Sequence, residues 1–441
     1  MGIVRGFAVL EKSLVYLLDA KNVEFWGLLG DSIELASIKK EKKNMKIKEI
    51  EIQNYRSCIK TKFALNTDLS VLIGPNGVGK SNILYGLQLF PSTERNRKFY
   101  NIDSEFGSET QINLIAIIDE IDYVIRAKFS YKTNEKNRDV LFYTEIKYRE
   151  VEAKNKRKWV VVDSEILEYA SYIFKTKRKV QFKRFETEQA KLSLRLLQSL
   201  RNINYYSATQ FSDPSRCPVS IELDESSYSS TRAVRSKNHT RFIYDLYQAY
   251  KSSEPIYTLF QNTVGNDGLG LIESFEFFDH DIPSSTYKVR TGGFIEEIQN
   301  SKKIIIPFIR IDGLKLSPNQ LSEGTFKTLA LVFYILSDKS DLLLIEEPEV
   351  SVHHGLLSSI MQLIKQQSQS KQIIITTHSD NVLDMIEPEN IVVVSKEREK
   401  GTIANPLTKS LGAQELSALR DYLQTTGNLG EYWIEGGFDY E

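Results

Sequence analysis

A glycine-rich segment at residues 74–81 (GPNGVGKS) constrains the fold of this chain more than any other feature. It matches the phosphate-binding pattern G-x-x-x-x-G-K-[ST] at every fixed position. That pattern functions where a buried strand enters the loop and a helix leaves it. The apolar run Leu69–Ile73 precedes the segment, and residues 80–90 are predicted to be helical. The sequence therefore predicts an α/β unit built around a phosphate cradle; a chance glycine turn is the weaker interpretation.

The residues of this loop have separate roles in holding a nucleotide. Glycines let backbone N–H groups curl around the β- and γ-phosphates, and the helix that begins here points its positive end at them. Lys80 adds a full positive charge, and the Ser81 hydroxyl is a magnesium ligand. The residues that we predict to bind the nucleotide are Asn76, Gly77, Gly79, Lys80, Ser81 and Asn82.

A second segment, residues 342–347 (LLLIEE), joins four hydrophobic residues to two acids. A buried strand that ends in two carboxylates can place one near a metal and the other near an attacking water. We therefore assign Glu346 to the magnesium sphere and Glu347 to the general base for water. In isolation the same acids would also suit an exposed strand end.

The strand-like segment at residues 373–379 (IIITTHS) places His378 at its carboxyl end. Such a position faces the ligand crevice of a parallel sheet, so His378 is a candidate for holding the γ-phosphate or orienting water. A structural histidine is the alternative.

The segment LSEGT at residues 321–325 opens a predicted helix, and Ser322 and Gly324 could present free N–H groups to an anion there. Taken alone, Ser322 is more simply an N-cap.

The order of predicted elements indicates an α/β fold with an added layer. Strand-like runs recur without helices between residues 112 and 162, which favours an antiparallel layer, whereas strands and helices alternate from residue 303 onward. Residues 164–201 and 236–262 are predicted to be helical. The predicted division is an N-terminal extension (1–44), the P-loop part of a nucleotide-binding domain (45–100), the rest of the antiparallel layer with an inserted α+β and helical subdomain (101–302), and the C-terminal part of the nucleotide-binding domain (303–441).

Residues 1–44 stand apart from the regular pattern that follows. They lack the features of a signal peptide and end in a lysine-rich run directly before Met45. One hypothesis is that translation begins at Met45. An amphipathic N-terminal helix is the alternative.

Composition excludes several classes of protein. Lys and Arg total 57 against 58 Asp and Glu, so the chain is not a polycation, although a local basic surface is compatible with that balance. Cys58 and Cys217 are too few for a disulfide framework or a four-thiolate zinc site. Because no run of about 18 apolar residues occurs, we expect no membrane span and a cytoplasmic location.

Taken together, these segments resemble the ABC-type ATPases of the SMC and RecF lineage, and more closely the OLD-like ATPases. The resemblance implies an α/β fold, an ABC-type P-loop ATPase head with a mixed sheet. It also implies hydrolysis of ATP with Mg²⁺ in a homodimer or higher homo-oligomer, in which Ser322 and Gly324 cap the ATP bound to another protomer. The segments that carry the resemblance are KIKEIEIQNYRS (46–57), the P-loop, LSEGT, IEEPEVSVHH (345–354) and TTHSD.

The same resemblance adds two residues to the site. Arg56 matches an arginine that reaches the nucleotide. Gln210 is similar to the glutamine that follows a middle strand and senses metal and water, with Gln111, Gln88 or an ordinary surface role for Gln210 as alternatives. Glu323 departs from the commoner LSGGQ form of the LSEGT segment.

Two functions compete for the purpose of such an ATPase. No sustained heptad pattern occurs, which excludes long coiled-coil arms. OLD enzymes carry a Toprim nuclease domain after the ATPase, and too few residues follow position 394 here for such a domain. We therefore expect a separate nuclease or toxin partner, as in the stand-alone ATPase subunits of Septu, PARIS and ATPase-bearing retron defence systems. A RecF-like DNA repair or recombination clamp is the alternative.

A basic tract makes DNA a candidate partner. Phe174, Phe182 and Phe185 interleave with its cations, and such a surface can neutralise phosphates and stack on bases. A solvated helix face or a dock for a partner protein explains the tract equally well. Its basic residues are Lys175, Lys177, Arg178, Lys179, Lys183, Arg184, Lys191, Arg195 and Arg201.

Overall fold

The computed structural model describes residues 45–92, 109–133, 139–151, 158–176, 178–224, 238–350, 352–425 and 427–434. The predicted N-terminal extension lies outside the described residues, so the choice between Met1 and Met45 as start stays a prediction. None of the helices in these ranges has the length and hydropathy that crossing a membrane requires.

The described residues form two compact units. The P-loop unit contains residues 45–206, 338–349 and 361–434 within these ranges. The signature unit, so called because it carries the LSEGT segment, contains residues 207–337 and 350–360. The division into four domains predicted from the sequence stays a prediction.

Strands and helices are numbered here in chain order. The strands are β1 (Lys46–Tyr55), β2 (Cys58–Ala64), β3 (Leu69–Ile73), β4 (Thr110–Ile118), β5 (Ile121–Thr133), β6 (Asp139–Glu150), β7 (Val160–Val161), β8 (Ile203–Ser207), β9 (Ile221–Asp224), β10 (Ser274–Val289), β11 (Ile295–Ile311), β12 (Leu314–Leu316), β13 (Leu342–Glu346), β14 (Gln372–Thr377), β15 (Ile391–Glu397) and β16 (Gly401–Pro406). The α-helices are α1 (Lys80–Leu87), α2 (Leu89–Ser92), α3 (Ser164–Thr176), α4 (Glu188–Arg201), α5 (Asn238–Lys251), α6 (Pro255–Val264), α7 (Glu323–Ser337), α8 (His354–Ser368), α9 (Asp380–Leu383), α10 (Leu407–Ser410), α11 (Ala413–Thr425) and α12 (Leu429–Ile434).

The core sheet of the P-loop unit has the strand order β16-β15-β3-β14-β13-β8. The pairs β15–β3, β3–β14 and β14–β13 are parallel, whereas β15 and β16 are antiparallel. Strands β3 and β14 are buried at every residue, as expected for parallel strands covered on both faces. The predicted α/β fold class with a mixed sheet is therefore confirmed.

The second sheet of the P-loop unit has the order β2-β1-β4-β5-β6-β7, and all the strand pairs in it are antiparallel. Strand β4 alternates strictly between buried and partly exposed residues, so one face packs into the core and the other does not. The antiparallel layer predicted between residues 112 and 162 is confirmed.

Gln372 joins the two sheets inside the P-loop unit. Its side-chain amide donates to the carbonyls of Ile47 (2.7 Å) and Asn66 (2.8 Å) and accepts from the Ile47 backbone N–H (2.7 Å). Gln372 is fully buried, so each of these bonds satisfies a group that would otherwise be unpaired away from water.

The signature unit combines helices with a sheet whose strand path is β10-β11-β12, with β9 also pairing to β11. Its core is aromatic: the rings of Phe211, Phe242 and Phe326 contact one another at centroid distances of 5.6–6.4 Å. Helix α7 is buried along most of its length, which anchors the LSEGT segment at its start.

Several predicted boundaries were wrong. The helix predicted at 80–90 ends at Leu87 and is followed by the separate α2, and a 3-10 turn at Phe182–Arg184 divides the helical stretch 164–201 into α3 and α4. Strand β11 begins at Ile295, well before residue 303, because it pairs along its whole length with β10. Its polar residues near 300 hide this strand from a search for apolar runs.

Candidate functional site

The candidate site lies along one edge of the core sheet of the P-loop unit. Because β3, β14 and β13 are parallel and in register, Ile73 lies beside Thr377, and Glu346 lies beside Thr376. The P-loop, the acids after β13 and His378 after β14 therefore leave the sheet at the same edge. Side chains at the carboxyl ends of parallel strands form the ligand crevice of open α/β sheets.

The P-loop has the backbone shape that a phosphate cradle requires. Gly77 and Gly79 adopt left-handed φ angles of 82° and 106°. A Cβ on Gly79 would lie 2.1 Å from Thr402 Oγ1, whereas a Cβ on Gly77 would meet no atom within 4 Å. The loop is thus tightly supported at Gly79 and open at Gly77.

Lys80 points back over its own loop. Its Nζ donates to the carbonyls of Gly74 (2.6 Å) and Pro75 (3.0 Å). Burial lowers the pKa of the Lys80 ammonium, and attraction to Glu347, Glu349 and Glu346 opposes that shift. The three carboxylates therefore act on the same cation that is predicted to bind phosphate.

Thr402, on β16, supports the P-loop and was not found by sequence reasoning. Its hydroxyl donates to the Val78 carbonyl (2.7 Å) and lies 2.7 Å from the Ser57 hydroxyl. Ser57 in turn accepts from the Asn82 side-chain amide (2.7 Å), and Asn82 accepts from Arg56 Nη1 (3.2 Å). The predicted nucleotide residues Arg56 and Asn82 thus form one polar chain with the loop. Because Thr402 lies far from the P-loop in the sequence, no local motif predicts its contact with the loop.

Glu347 stands at a backbone position that is unusual for its type. Its φ is 48°, in the left-handed region, and its N–H donates to the Thr376 carbonyl (2.9 Å). A non-glycine residue in that region costs on the order of 1 kcal/mol or more, and such positions cluster at functional sites. The left-handed turn brings the Glu347 carboxylate to His378, with 3.3 Å between Oε1 and Nδ1.

Glu349 forms the other side of this cluster and was also missed as a site residue. Its Oε1 accepts from the Thr377 hydroxyl (2.7 Å) and the His378 backbone N–H (3.3 Å), and lies 3.7 Å from His378 Nδ1. Burial raises the pKa of Glu349, against the lowering effect of these donors. Its Oε2 and the Thr376 hydroxyl are buried without a partner among the described residues. His378 is therefore set between two carboxylates.

Glu346, the predicted magnesium residue, is held from the side by a tyrosine. The Tyr205 hydroxyl on β8 donates to Glu346 Oε2. Burial, then the nearby Glu346 charge, strongly raises the pKa of Tyr205, so the hydroxyl keeps its hydrogen. This contact engages one of the two carboxylate oxygens of Glu346.

The donor set at this edge fits a nucleotide–magnesium complex. Mg²⁺ takes oxygen ligands and is usually bound by one or two carboxylates plus substrate phosphates. The Ser81 hydroxyl and the Glu346 carboxylate are ligands of this kind, and the open cradle at Gly77 leaves room for phosphate oxygens. Within the ranges that the structure describes, no three His, Cys, Asp or Glu side chains group into a metal site by themselves.

In the signature unit, Ser322 caps helix α7. Its Oγ accepts from the Thr325 backbone N–H (3.1 Å) and lies 2.8 Å from the Thr325 hydroxyl. Ser322 is exposed and Gly324 is partly exposed. Glu323 pairs with the buried Lys327 (2.6 Å), which lowers the pKa of Glu323 together with hydrogen bonds from Ser212 and the Asp213 backbone. The N-cap interpretation of Ser322 holds, and it does not exclude a second role.

The three candidate glutamines lie in different settings. Gln210 is in the 3-10 turn Ala208–Phe211, directly after β8; this strand is at the end of the sheet order, not in its middle. Gln111 is on β4 of the antiparallel sheet and donates to Asn113 (3.2 Å). Gln88 follows α1, and its Nε2 is buried without a partner among the described residues. Only Gln210 follows a strand of the core sheet, so it stays the preferred candidate.

The basic tract is partly used for packing. Phe174, Phe182 and Phe185 pack against the hydrophobic core, and Arg201 stacks on Phe174 at 4.2 Å from the ring centroid. Arg195 forms an ion pair with Asp119 (2.5 Å) and Lys191 one with Glu188 (2.6 Å). The aromatic rings are therefore poorly placed for stacking on bases. Lys179, Lys183 and Arg184 are exposed; Lys177 and the Lys175 side chain lie outside the described part.

Two comparisons place the chain among known proteins. Residues 69–384 match a family model described as "AAA domain, putative AbiEii toxin, Type IV TA system". Endonuclease GajA of Bacillus cereus (strain VD045) is 22% identical over 367 residues, which make up 79% of this chain and 58% of that protein. The chain thus spans less than two thirds of the curated relative. The resemblance to P-loop ATPases is confirmed.

Solved structures of SMC heads are also similar to the chain. An SmcHead bound to the C-winged helix domain of ScpA has a TM-score of 0.44 at 15% identity, covering 81% of this chain and 96% of that one. The SMC head domain from Thermotoga maritima has a TM-score of 0.37 at 13% identity, covering 82% and 98%.

The Thr402 hydroxyl leads to a prediction about the loop. Thr402→Val removes the hydroxyl that donates to the partly buried Val78 carbonyl, and the loss of such a hydrogen bond costs about 0.5–1.5 kcal/mol. We expect ATP affinity to fall about tenfold, since 1.4 kcal/mol corresponds to a factor of ten. Isothermal titration calorimetry with ATP measures this.

Thr61→Val is the matched control. The Thr61 hydroxyl is also buried and donates to the Thr402 carbonyl (2.5 Å), but it does not contact the P-loop. We expect Thr61→Val to lower thermal stability and to leave ATP affinity unchanged. Equal losses of ATP affinity in both variants would show that Thr402 acts only through general stability.

Proposed function

Because this chain belongs to the family of AAA domains described as putative AbiEii toxin, Type IV TA system, we propose that it is an ABC-type ATPase whose ATP cycle switches a partner. Binding of ATP clamps two protomers together, and hydrolysis releases them. The observation that carries the proposal is the meeting of Lys80, Glu347 and His378 at the edge to which the P-loop also opens.

Each residue at this edge has a task that follows from its chemistry. Lys80 exchanges the loop carbonyls that it now contacts for phosphate oxygens. Glu347 accepts the proton of the attacking water, and His378, held by Glu347 and Glu349, fixes the water or the γ-phosphate. Ser81 and Glu346 would hold Mg²⁺, which when bound neutralises phosphate charge. Arg56 and Asn82 support the loop side of the nucleotide.

Substitution of Glu347 tests its assignment as the general base. Glu347→Gln keeps the size of the side chain and removes the base, so we expect hydrolysis to fall by about 10²–10⁴-fold while ATP binding persists. Phosphate release and equilibrium ATP binding, measured on the same preparation, separate the two effects. We also expect the variant to accumulate as an ATP-loaded dimer in size-exclusion chromatography.

Glu399→Gln serves as control, because Glu399 is an exposed carboxylate in the turn between β15 and β16. It should hydrolyse ATP at the wild-type rate. A Glu347→Gln protein that also hydrolyses ATP at near-wild-type rate would rule out Glu347 as the general base.

We further propose that the ATP site is composite. Ser322 and Gly324 lie at the start of α7 with solvent exposure, and a helix start offers N–H groups and a positive dipole to a phosphate. In a head-to-tail homodimer they would cap the nucleotide held by the P-loop of the other protomer. The glutamine after β8, Gln210, is assigned to metal and water sensing on the same proposal.

Mixing two inactive variants tests the composite site. Lys80→Ala disables the P-loop, and Ser322→Arg blocks the signature segment, so each homodimer should be inactive. A mixed dimer has one site with both mutated residues and one site with neither, so mixing should restore part of the activity. Absence of any recovery, with mixed dimers demonstrated by differential tags, would contradict a site shared between protomers.

The proposed output of the switch is a separate nuclease or toxin that the ATPase scaffolds and regulates in anti-phage defence. The family description, which includes a toxin of a toxin–antitoxin system, and a relative named an endonuclease support a toxic nucleic-acid-cleaving output. A RecF-like clamp that acts directly on DNA is the second candidate function, because Lys183 and Arg184 are exposed cations that could contact DNA phosphates.

Co-expression with the products of the adjacent genes distinguishes these outputs. We expect an adjacent-gene product to co-purify stoichiometrically with the Glu347→Gln variant and to cleave nucleic acid in a manner that depends on ATP. Lys183→Ala with Arg184→Ala should leave that complex intact. If instead the chain alone binds DNA with a steep salt dependence that this double variant flattens, the clamp is the correct function.

A further inference from the structure

Tyr205 makes a side-chain contact that the proposed catalytic cycle does not use. It lies on β8, the neighbour of β13 in the core sheet, and its hydroxyl donates to Glu346 Oε2. Glu346 is the last residue of β13 and the residue that would hold Mg²⁺. Both residues belong to the P-loop unit.

Tyr205 is itself held by residues near the P-loop. Its hydroxyl lies 3.4 Å from the Tyr85 hydroxyl, and the two rings pack with centroids 5.8 Å apart. Tyr85 is on α1, the helix that follows the loop, and the Arg56 guanidinium stacks over its ring at 4.9 Å from the centroid. A continuous row of contacts therefore runs from Arg56 through the two tyrosines to Glu346.

This contact restricts a torsion that is otherwise soft. The terminal torsion of a glutamate is broad, so an unrestrained carboxylate samples many orientations. A hydrogen bond on Oε2 fixes the plane of the carboxylate and leaves Oε1 for a metal or its water shell. Residues that hydrogen-bond to a metal ligand and orient it contribute to metal binding. Their loss typically lowers metal affinity or activity by about 10–100-fold.

We propose that Tyr205 is a positioning residue, which orients the Glu346 carboxylate for Mg²⁺ bound with the nucleotide. The inference rests on the proposed ATPase function and adds to it a residue outside the P-loop and outside the acidic segment. It assigns to the hydroxyl of Tyr205, and not to its ring, the role of setting the magnesium dependence of the site.

Tyr205→Phe isolates that role because it keeps the ring and its packing against Tyr85. Binding of a fluorescent ATP analogue is first measured in EDTA, and Mg²⁺ is then titrated into the complex. We expect metal-free binding to match the wild type and the Mg²⁺ concentration at the midpoint to rise about 10–100-fold. Unchanged metal-free binding also shows that the P-loop of the variant is folded.

Tyr85→Phe is the matched control. It removes the other hydroxyl of the pair but leaves the bond between Tyr205 and Glu346 in place, so its Mg²⁺ midpoint should stay within about threefold of the wild type, as for mutations away from a metal's supporting shell. An equal rise in both variants would show that the tyrosine pair matters as a unit and would overturn the specific role of Tyr205.

Two failures can be told apart. A Tyr205→Phe protein that binds ATP with the wild-type Mg²⁺ midpoint overturns the positioning role and leaves the ATPase proposal intact. A wild-type protein that binds no ATP, with or without Mg²⁺, overturns the proposed function and the role of Tyr205 with it.

Discussion

The site depends on the burial of three adjacent parallel strands. Strands β3 and β14 are buried throughout, and β13 is buried up to Glu346. Burying such apolar runs is the dominant favourable term in folding, at about 25 cal/mol per Å². Because the apolar middles of these strands are buried, the acids and the histidine of the candidate site lie at or just after the carboxyl ends of the strands. Parallel register then brings those ends to one edge, so the same burial that stabilises the sheet also assembles the site.

Electrostatics at this edge explains why a cation should accompany the nucleotide. Burial favours the neutral form of the Lys80 amine. Attraction by Glu347, Glu349 and Glu346 opposes this and favours the charged form. A triphosphate adds negative charge where carboxylates are already close together. Lys80 and the positive end of α1 offset part of that charge. On the proposed function, a divalent cation would offset the remaining negative charge, and the Glu346 carboxylate and the Ser81 hydroxyl are hard oxygen ligands of the kind that Mg²⁺ prefers.

The parts of the site that sequence could predict are those with a signature within a few neighbouring residues. The P-loop, the acids after β13, the histidine after β14 and the cap at Ser322 are all of this kind. Thr402 and Tyr205 could not be predicted, because their roles exist only through contacts with Val78 and Glu346, which are distant in the chain. The fold shows the same limit: buried parallel strands were found from apolar runs, whereas the polar half of β11 is a strand only because β10 pairs with it.

Strand β8 gives the assignment of Gln210 a physical setting that the motif alone lacks. Before the glutamine, Tyr205 is bonded to Glu346 at the end of β13. After it, Ser212 and the Asp213 backbone hydrogen-bond to Glu323, the neighbour of Ser322. Gln210, proposed to sense metal and water, therefore follows a tyrosine bonded to Glu346 and precedes two residues bonded to Glu323. Side-chain hydrogen bonds thus hold the chain on both sides of this glutamine, which is a setting that the motif alone does not reveal.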